Sequence, residues 1–267
     1  MTIAAPTHTA GFATTASTIA IRTIVKILRT PQIIGIAIVQ SVIFLIMFRY
    51  VLGGAISVGK GLAYVDFMVP GFVVSGLLFT AGGSAVEVAE DAASGIYDRF
   101  RSLPIPDTAV LIGRGIADAA LMVIVGLATL GVGFIVGFGI DGSALDVLLA
   151  VGLLVVYGLG FAGIFVWLGL VSGNAQAAQG LSILSVPFSF VSSAFVPVKS
   201  MPGVLETFAE WQPLTFMVNA WRGLLLGDKA TKTFEHSLDY YVFGSIIWAV
   251  GLAIVIAPLA LRAYRKR

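Results

Sequence analysis

Residues 87–107 read EVAEDAASGIYDRFRSLPIPD and form an island of charge in a chain that is otherwise mostly apolar. Within the island, Ile96, Phe100 and Leu103 recur at helical spacing, and two prolines follow them. This pattern predicts a short amphipathic helix over residues 94–103 that ends at the prolines. The charged side chains of this helix cannot lie in hydrocarbon, so it must face water or a protein partner.

The composition of the rest of the chain indicates a polytopic membrane protein. Of the 267 residues, 58% are hydrophobic and 11% are charged, whereas soluble domains carry about 25% charged residues. The chain has no cysteine, which excludes disulfides and thiolate metal sites. The first positive charge is Arg22, so no basic segment precedes the first apolar run and a cleavable signal peptide is not expected.

Long apolar runs predict an all-α integral membrane fold with six transmembrane helices. A helix needs about 20 apolar residues to cross about 30 Å of hydrocarbon. Residues 214–227 are too few and include Asn219 and Arg222, so we expect a re-entrant or interfacial helix there, after an interfacial helix over 201–213, both on the outer side. The predicted spans are 33–52, 64–85, 108–138, 147–171, 181–198 and 241–261.

The distribution of basic residues predicts the orientation of these spans. The segments expected to face the cytoplasm carry most of the Lys and Arg, which places both termini in the cytoplasm. Arg22, Lys26 and Arg29 form a basic stripe beside apolar residues, a pattern typical of a helix lying in an anionic headgroup layer. The chain therefore divides into a tail with an interfacial helix, residues 1–30, and a transmembrane domain, residues 31–267.

Two groups of charged residues lie within or next to the spans. Arg114 and Asp118 are four residues apart on one face of span three, which favours a structural ion pair over a gating or substrate contact. Glu87, Glu90 and Asp91 are interpreted as a solvated helix end, because no base, nucleophile or metal ligand accompanies them.

Span five carries a regular series of serines. They fall at steps of three and four, so they form one hydroxyl face that is interrupted at Pro187. Such a face either packs against another helix or lines a path for polar groups, and both are possible if the neighbour is a second copy of the chain. The serines are Ser182, Ser185, Ser189, Ser192 and Ser193.

Three functional classes lack residues that they need in this sequence: nucleotide-binding proteins, ion-coupled secondary transporters and intramembrane enzymes. The stretch 54–60, GAISVGK, resembles part of a phosphate-binding loop, but Gly61 follows where Ser or Thr is needed. An ion-coupled secondary transporter needs carboxylates near the membrane midplane, where we expect only Asp118. An intramembrane enzyme needs a catalytic constellation, and His8 and His236 lie apart without one, so no catalytic or metal site is expected.

Three blocks of sequence resemble a known family. They are YVDFMVPG at 64–71, SGIYDRFRSLPI at 94–105 and AFVPVKSMPG at 194–203, the last followed by QPLT at 212–215 and AWRG at 220–223. In this order they resemble the permease subunit of ABC-2 type exporters, in particular the daunorubicin-resistance branch. The blocks extend over most of the chain, and the second block is the most specific.

The resemblance implies a non-catalytic permease that forms a homodimer and docks two separate ABC ATPase subunits, which would hold ATP and magnesium. The chain itself would bind no cofactor and no nucleic acid, and it would contact lipids in a prokaryotic plasma (inner) membrane. The helix before span one would be a connecting helix, and spans two and five would border the translocation path. The island would be the coupling helix that enters a groove on the ATPase, through Ile96, Tyr97, Asp98, Arg99, Phe100, Arg101 and Leu103.

The function expected from this resemblance is ATP-driven export of an amphipathic or lipophilic compound, such as a drug, a polyketide or a lipid. A lipid-linked glycan is the alternative cargo, and ion-coupled secondary transport is the alternative mechanism.

Overall fold

The computed structural model describes residues 11–53, 58 and 61–266. Residues 1–10 with His8, most of the stretch 54–60, and Arg267 lie outside the described residues. The regular secondary structure of the described part is entirely helical, as the sequence predicts. In chain order the helices are α1 (Phe12–Leu28), α2 (Pro31–Met47), α3 (Tyr64–Ala93), α4 (Ile96–Arg101), α5 (Asp107–Ile135), α6 (Ala144–Val171), α7 (Ala175–Ser182), α8 (Ser185–Phe190), α9 (Gly203–Trp211), α10 (Pro213–Leu226), α11 (Asp228–Thr231) and α12 (Leu238–Lys266), with a π-helix (Phe48–Leu52) after α2 and a 3-10 helix (Val198–Ser200) before α9.

The four longest helices of the described part, α3, α5, α6 and α12, are each long and apolar enough to cross a membrane. They contain 28 to 30 residues, which corresponds to about 42–45 Å at 1.5 Å per residue. They coincide with predicted spans two, three, four and six, which are confirmed as helices of membrane-spanning length. Ser143 begins α6 through a capping box with Asp146.

Predicted span one starts as α2 and continues as the π-helix, so helical residues run without a break from 31 to 52. Each of these two parts is shorter than the four long helices. Ile36, Val39 and Ile43 of α2 are exposed, as is typical of a surface that faces lipid or a partner chain. A membrane-crossing role for this segment, and with it the total of six spans, stays a prediction.

The prediction of one continuous helix over residues 181–198 is wrong. α7 begins earlier, where the side chain of Asn174 accepts a hydrogen bond from a backbone N–H at 2.8 Å, and it ends at Ser182. α8 follows after a turn and has Pro187 in its first turn. Proline has no N–H and is tolerated in a first turn but not in a helix interior, so the chain breaks and restarts before it. After α8 the chain is not helical until residue 198.

α3 lies at the centre of the bundle, and α12 lies at its edge. Most of the apolar length of α3 is buried, whereas little of α12 is, and α12 exposes Phe243, Ile247 and Ile254. Gly71 allows α3 to approach the non-helical chain after α8, because a side chain at this position would overlap the carbonyl oxygen of Ala194. The apolar exposure of α12 matches that of a lipid-facing helix.

α10 is buried at every residue and packs against α3, α6 and α12. α10 is therefore enclosed by protein, and both alternatives for residues 214–227, a re-entrant and an interfacial course, stay predictions. The indole N–H of Trp221 donates to the carbonyl oxygen of Ala150 at 2.6 Å. α9, in contrast, exposes Val204, Phe208 and Trp211, as predicted for an interfacial helix.

The two ends of the bundle carry different elements. α4 lies where α3, α6 and α12 end and α5 begins, and this is termed the α4 end. α9 and the connection between α5 and α6 lie at the opposite end, termed the α9 end.

Candidate functional site

The predicted amphipathic helix is present at the α4 end as α4, six residues long. Gly95 precedes it with a φ of 72°, a left-handed conformation that glycine adopts without strain and that turns the chain sharply after α3. The segment SLPIP then leads into α5 at Asp107. The helix is shorter than the predicted range 94–103, because its last turn unwinds before Pro104.

One face of α4 is buried and the other is open. Tyr97 is 5% exposed and packs in an apolar cluster with Val88, Val110 and Tyr264, and this burial raises the pKa of its hydroxyl. Tyr97, one of the residues predicted to enter the ATPase groove, is therefore not accessible at the surface of this chain, because α4 lies flat on the ends of the long helices and buries one side. Ile96 and Phe100 are partly buried against the same cluster.

The open face of α4 combines charge with an apolar side chain. Asp98 and Arg99 are exposed, and Leu103 just after the helix is 51% exposed. Arg101 is partly buried, forms an ion pair with Asp98 and donates a hydrogen bond to the carbonyl oxygen of Arg265 at 3.4 Å. The surface available to a partner is therefore centred on Asp98, Arg99 and Leu103.

α1 joins this region from the side and packs along α5. The guanidinium of Arg22 lies 5.6 Å from the ring centroid of Phe100, and Lys26 Nζ lies 3.6 Å from Glu87 and 3.8 Å from Asp91. Two members of the predicted headgroup stripe thus contact protein side chains, while Arg29 is exposed. The large apolar residues of α1 that remain exposed are Phe12, Ile21, Val25 and Leu28.

A buried ion cluster connects α1, α3 and α5 beneath α4. Arg114 Nε lies 3.0 Å from both carboxylate oxygens of Asp118, which confirms the predicted ion pair. Its other nitrogens lie 3.2 Å from Glu87 and 3.3 Å from Asp91. The interpretation of Glu87 and Asp91 as solvated is therefore wrong, although Glu90 is exposed. The spacing of Glu87 and Asp91, four residues apart on one helical face, was a signal for this cluster.

A cleft of about 470 Å³ opens between α2, α3, α7 and α8. Its polar lining comes from Gln40, Gln179, Ser182 and Ser185, and no ionisable side chain is among the described residues that line it. The cleft can therefore receive uncharged polar groups and aromatic surface together. Its aromatic lining consists of Phe44, Phe48, Phe72, Phe79, Phe190 and Phe195.

The serine series does not form one continuous face. Ser182 and Ser185 line the cleft, and their hydroxyls donate to Ala178 O at 2.8 Å and to Ser182 O at 2.6 Å. Ser189, Ser192 and Ser193 are buried and do not line the cleft. The break between α7 and α8 separates Ser182 from the helix that carries Ser185 and Ser189, and the loss of helix after α8 takes Ser192 and Ser193 off any shared helical face.

Arg222 of α10 was assigned no role from the sequence, yet it fixes the non-helical chain after α8. It is 2% exposed, and it donates at 2.8 Å to the carbonyl oxygens of both Phe67 and Ser193. A further nitrogen donates to Asn219 Oδ1 at 2.7 Å, which in turn accepts from the Ser193 hydroxyl. Only the occurrence of an arginine inside a short apolar run could have indicated such a role.

Lys199 connects the surface elements at the α9 end. Its Nζ lies 2.8 Å from Glu206 and 3.2 Å from Glu210 of α9, and 3.0 Å from Glu235 before α12. The hydrogen bonds that the Lys199 ammonium donates to these carboxylates raise the pKa of Lys199 above its ordinary value. The contacts join the 3-10 helix, α9 and the start of α12.

The fold, with its long apolar helices and an exposed short helix at one end, places the chain among multi-pass membrane proteins. Residues 14–226 match the ABC-2 type transporter family, and the chain belongs to that family.

Two relatives show which members of the family the chain resembles. The chain is 30% identical over 238 residues to the daunorubicin resistance ABC transporter permease protein DrrB1 of Streptomyces coeruleorubidus, covering 88% of this chain and 80% of that protein. It is 25% identical over 235 residues to the probable doxorubicin resistance ABC transporter permease protein DrrC of Mycobacterium tuberculosis, covering 86% of this chain and 80% of that protein. The chain is thus homologous to ABC permease subunits of the drug-resistance type, which are generally non-catalytic.

Proposed function

We propose that this chain is the permease subunit of an ATP-driven exporter that moves an amphipathic or lipophilic compound out of the cytoplasm or the inner leaflet. A separate ABC ATPase would supply ATP hydrolysis with magnesium and would dock on α4. The observation that carries the proposal is the open face of α4, where Asp98, Arg99 and Leu103 offer charge and apolar surface at the end of a membrane bundle. The seven-residue coupling set predicted from the sequence is reduced to these three as direct contacts, with Arg101 beside them.

The cleft supports the proposed cargo. Its volume of about 470 Å³ lies within the roughly 300–1,000 Å³ of pockets that bind drug-sized molecules. Phenyl rings beside uncharged amides and hydroxyls suit an amphipathic or lipophilic compound, and a lipid-linked glycan is the alternative cargo. A second copy of the chain would complete the path, with α2 serving as span one, α7 and α8 as a broken span five, and both termini in the cytoplasm of a prokaryotic inner membrane.

Ion-coupled secondary transport is less well supported. The one carboxylate predicted near the midplane, Asp118, is fully buried and held by Arg114 at 3.0 Å. An acid engaged in this way is not available to bind and release a coupling ion. The ion cluster therefore has a structural role in the proposed mechanism.

For the test, the tagged chain is purified from the membranes of its native host as a complex with its ATPase. The complex is reconstituted into proteoliposomes, and ATP hydrolysis is measured. Doxorubicin and a fluorescent phospholipid serve as the two transport probes. We expect chain-dependent, vanadate-sensitive ATP hydrolysis, with movement of at least one probe. Absence of both ATPase activity and ATP-dependent probe movement would refute the proposal.

A triple variant, Asp98→Ala with Arg99→Ala and Leu103→Ala, tests the docking face. We expect the ATPase to be lost from the purified complex while membrane insertion is retained. Val204→Ala is the matched control, because Val204 is an exposed apolar residue at the α9 end. Unchanged ATPase content in the triple variant would remove α4 as the docking element.

A further inference from the structure

The buried face of α4 rests on the last turn of α12. The rings of Tyr97 and Tyr264 meet edge to face, with centroids 5.4 Å apart and an interplanar angle of 77°. Tyr264 is fully buried, and it is the residue that α12 contributes to the buried core of the apolar cluster beneath α4. Aromatic pairs of this geometry stabilise by about 0.5–1.5 kcal/mol beyond the area they bury.

Polar contacts join the same turn of α12 to the end of α4 and to the start of α5. Arg265 Nε lies 2.9 Å from Asp107 Oδ2 at the start of α5, and the carbonyl oxygen of Arg265 accepts from Arg101 at the end of α4. Elsewhere α12 packs mainly on α6 and α10. Its last turn thus reaches inward to α4 through Tyr264 and Arg265.

α4 is therefore supported on two sides. α1 contacts it through Arg22 over the ring of Phe100, and α12 contacts it through Tyr264 and Arg265. A six-residue helix has too few internal hydrogen bonds to resist a lateral force alone. A load applied to its open face would pass into these supports as well as into α3 and α5, on which α4 also packs.

We propose that Tyr264 and Arg265 are positioning residues that hold α4 rigid against α12, so that a push on α4 moves the long helices instead of displacing α4 alone. This inference rests on the proposed function, because it assumes that an ATPase acts on α4. The C-terminal turn of α12 is then part of the coupling apparatus although it lies about 160 residues from α4 in the sequence, as the separation of 164 between Arg101 and Arg265 illustrates.

The test measures the number of probe molecules moved per ATP hydrolysed by the reconstituted complex, with doxorubicin or the fluorescent phospholipid as probe. This ratio does not depend on how much protein folds, so a merely structural defect leaves it unchanged. We expect Tyr264→Ala to lower the ratio at least about fivefold, the lower range of typical coupling between sites. Tyr264→Phe keeps the ring and should retain the wild-type ratio.

Arg265→Asp provides a second variant in case Tyr264→Ala does not fold, because Arg265 is mostly exposed. It places an acid opposite Asp107 and should lower the ratio, whereas Arg262→Asp makes the same change of charge one turn earlier on the exposed surface and should not. Wild-type ratios in both Tyr264→Ala and Arg265→Asp, in a wild-type complex that works, would overturn this inference alone. A wild-type chain that shows neither ATPase association nor transport would overturn the proposed function and this inference with it.

Discussion

Replacing Arg114 by methionine tests whether the buried ion cluster holds the α4 end together. The guanidinium contacts Asp118 at 3.0 Å, Glu87 at 3.2 Å and Asp91 at 3.3 Å. In Arg114→Met, Asp118 would remain fully buried without its cation, whereas Glu87 and Asp91 would keep Lys26 nearby. Removing one partner of a buried ion pair costs about 3–5 kcal/mol, and we expect the free energy of unfolding to fall by this amount.

The assay is reversible unfolding in detergent micelles, followed by circular dichroism at a fixed pH. Arg29→Met is the matched control, because it removes an exposed arginine and should change the free energy of unfolding by less than about 0.5 kcal/mol. The double variant Arg114→Met with Asp118→Leu should recover part of the loss, because an apolar pair of similar volume can replace a buried ion pair. A single variant within about 1 kcal/mol of wild type, or a double variant less stable than the single one, would refute the reasoning.

Three further predictions concern other contacts. Gly71→Ala forces a methyl group toward the Ala194 carbonyl and should lower the free energy of unfolding by about 1–3 kcal/mol. The control Gly76→Ala has open space around it and should leave the free energy of unfolding unchanged. Equal stability of the two variants would contradict the close approach of α3 to Ala194. Arg222→Leu leaves buried carbonyl acceptors unpaired, at a cost of about 1–3 kcal/mol each. Because the chain has no cysteine, a single Ser193→Cys can be labelled with a maleimide, and we expect it to become more reactive when Arg222 is also replaced. Unchanged labelling would argue against the hydrogen bonds by which Arg222 fixes the chain at Ser193. Lys199→Gln should lower the thermal midpoint slightly, and by the same amount from pH 7 to pH 9. The carboxylates raise the pKa of Lys199, so its contribution to stability is complete below its ordinary pKa of about 10.4 and is lost only at higher pH. A difference in thermal midpoint that disappears below pH 9 would contradict this assignment.

The sequence predicts the long helices well, because each is a continuous apolar run and its ends are marked by charge, proline or a capping residue. It predicts residues 181–198 poorly, because uniform apolarity carries no information about where a helix breaks. Pro187 indicated an irregularity there but not that the helix ends at Ser182 and restarts. The serine spacing was read on a continuous helix, so the common face disappeared with that helix.

In the candidate site, too, the sequence predicts the local helix but not the contacts that it makes with distant parts of the chain. The amphipathic pattern of the island located α4 correctly, but which of its faces is buried depends on Tyr264, more than 160 residues away. Glu87 and Asp91 looked solvated because their cations, Lys26 and Arg114, come from two other helices. Arg222 likewise acquires its role only from Phe67 and Ser193, which the fold brings to it.

The complete burial of α10 has a consequence for biosynthesis. A central arginine raises the cost of inserting a helix through the translocon by about 2.5–3.5 kcal/mol, and fourteen residues are too few to span the bilayer. The acceptors that satisfy Arg222 lie in earlier parts of the chain, but α12, against which α10 packs, is synthesised afterwards. A nascent chain released before residue 238 would therefore contain α10 without α12, one of the helices that bury it. We therefore expect α10 to reach its fully buried state only after α12 has been inserted, although α3, α6 and the acceptors of Arg222 are in place earlier.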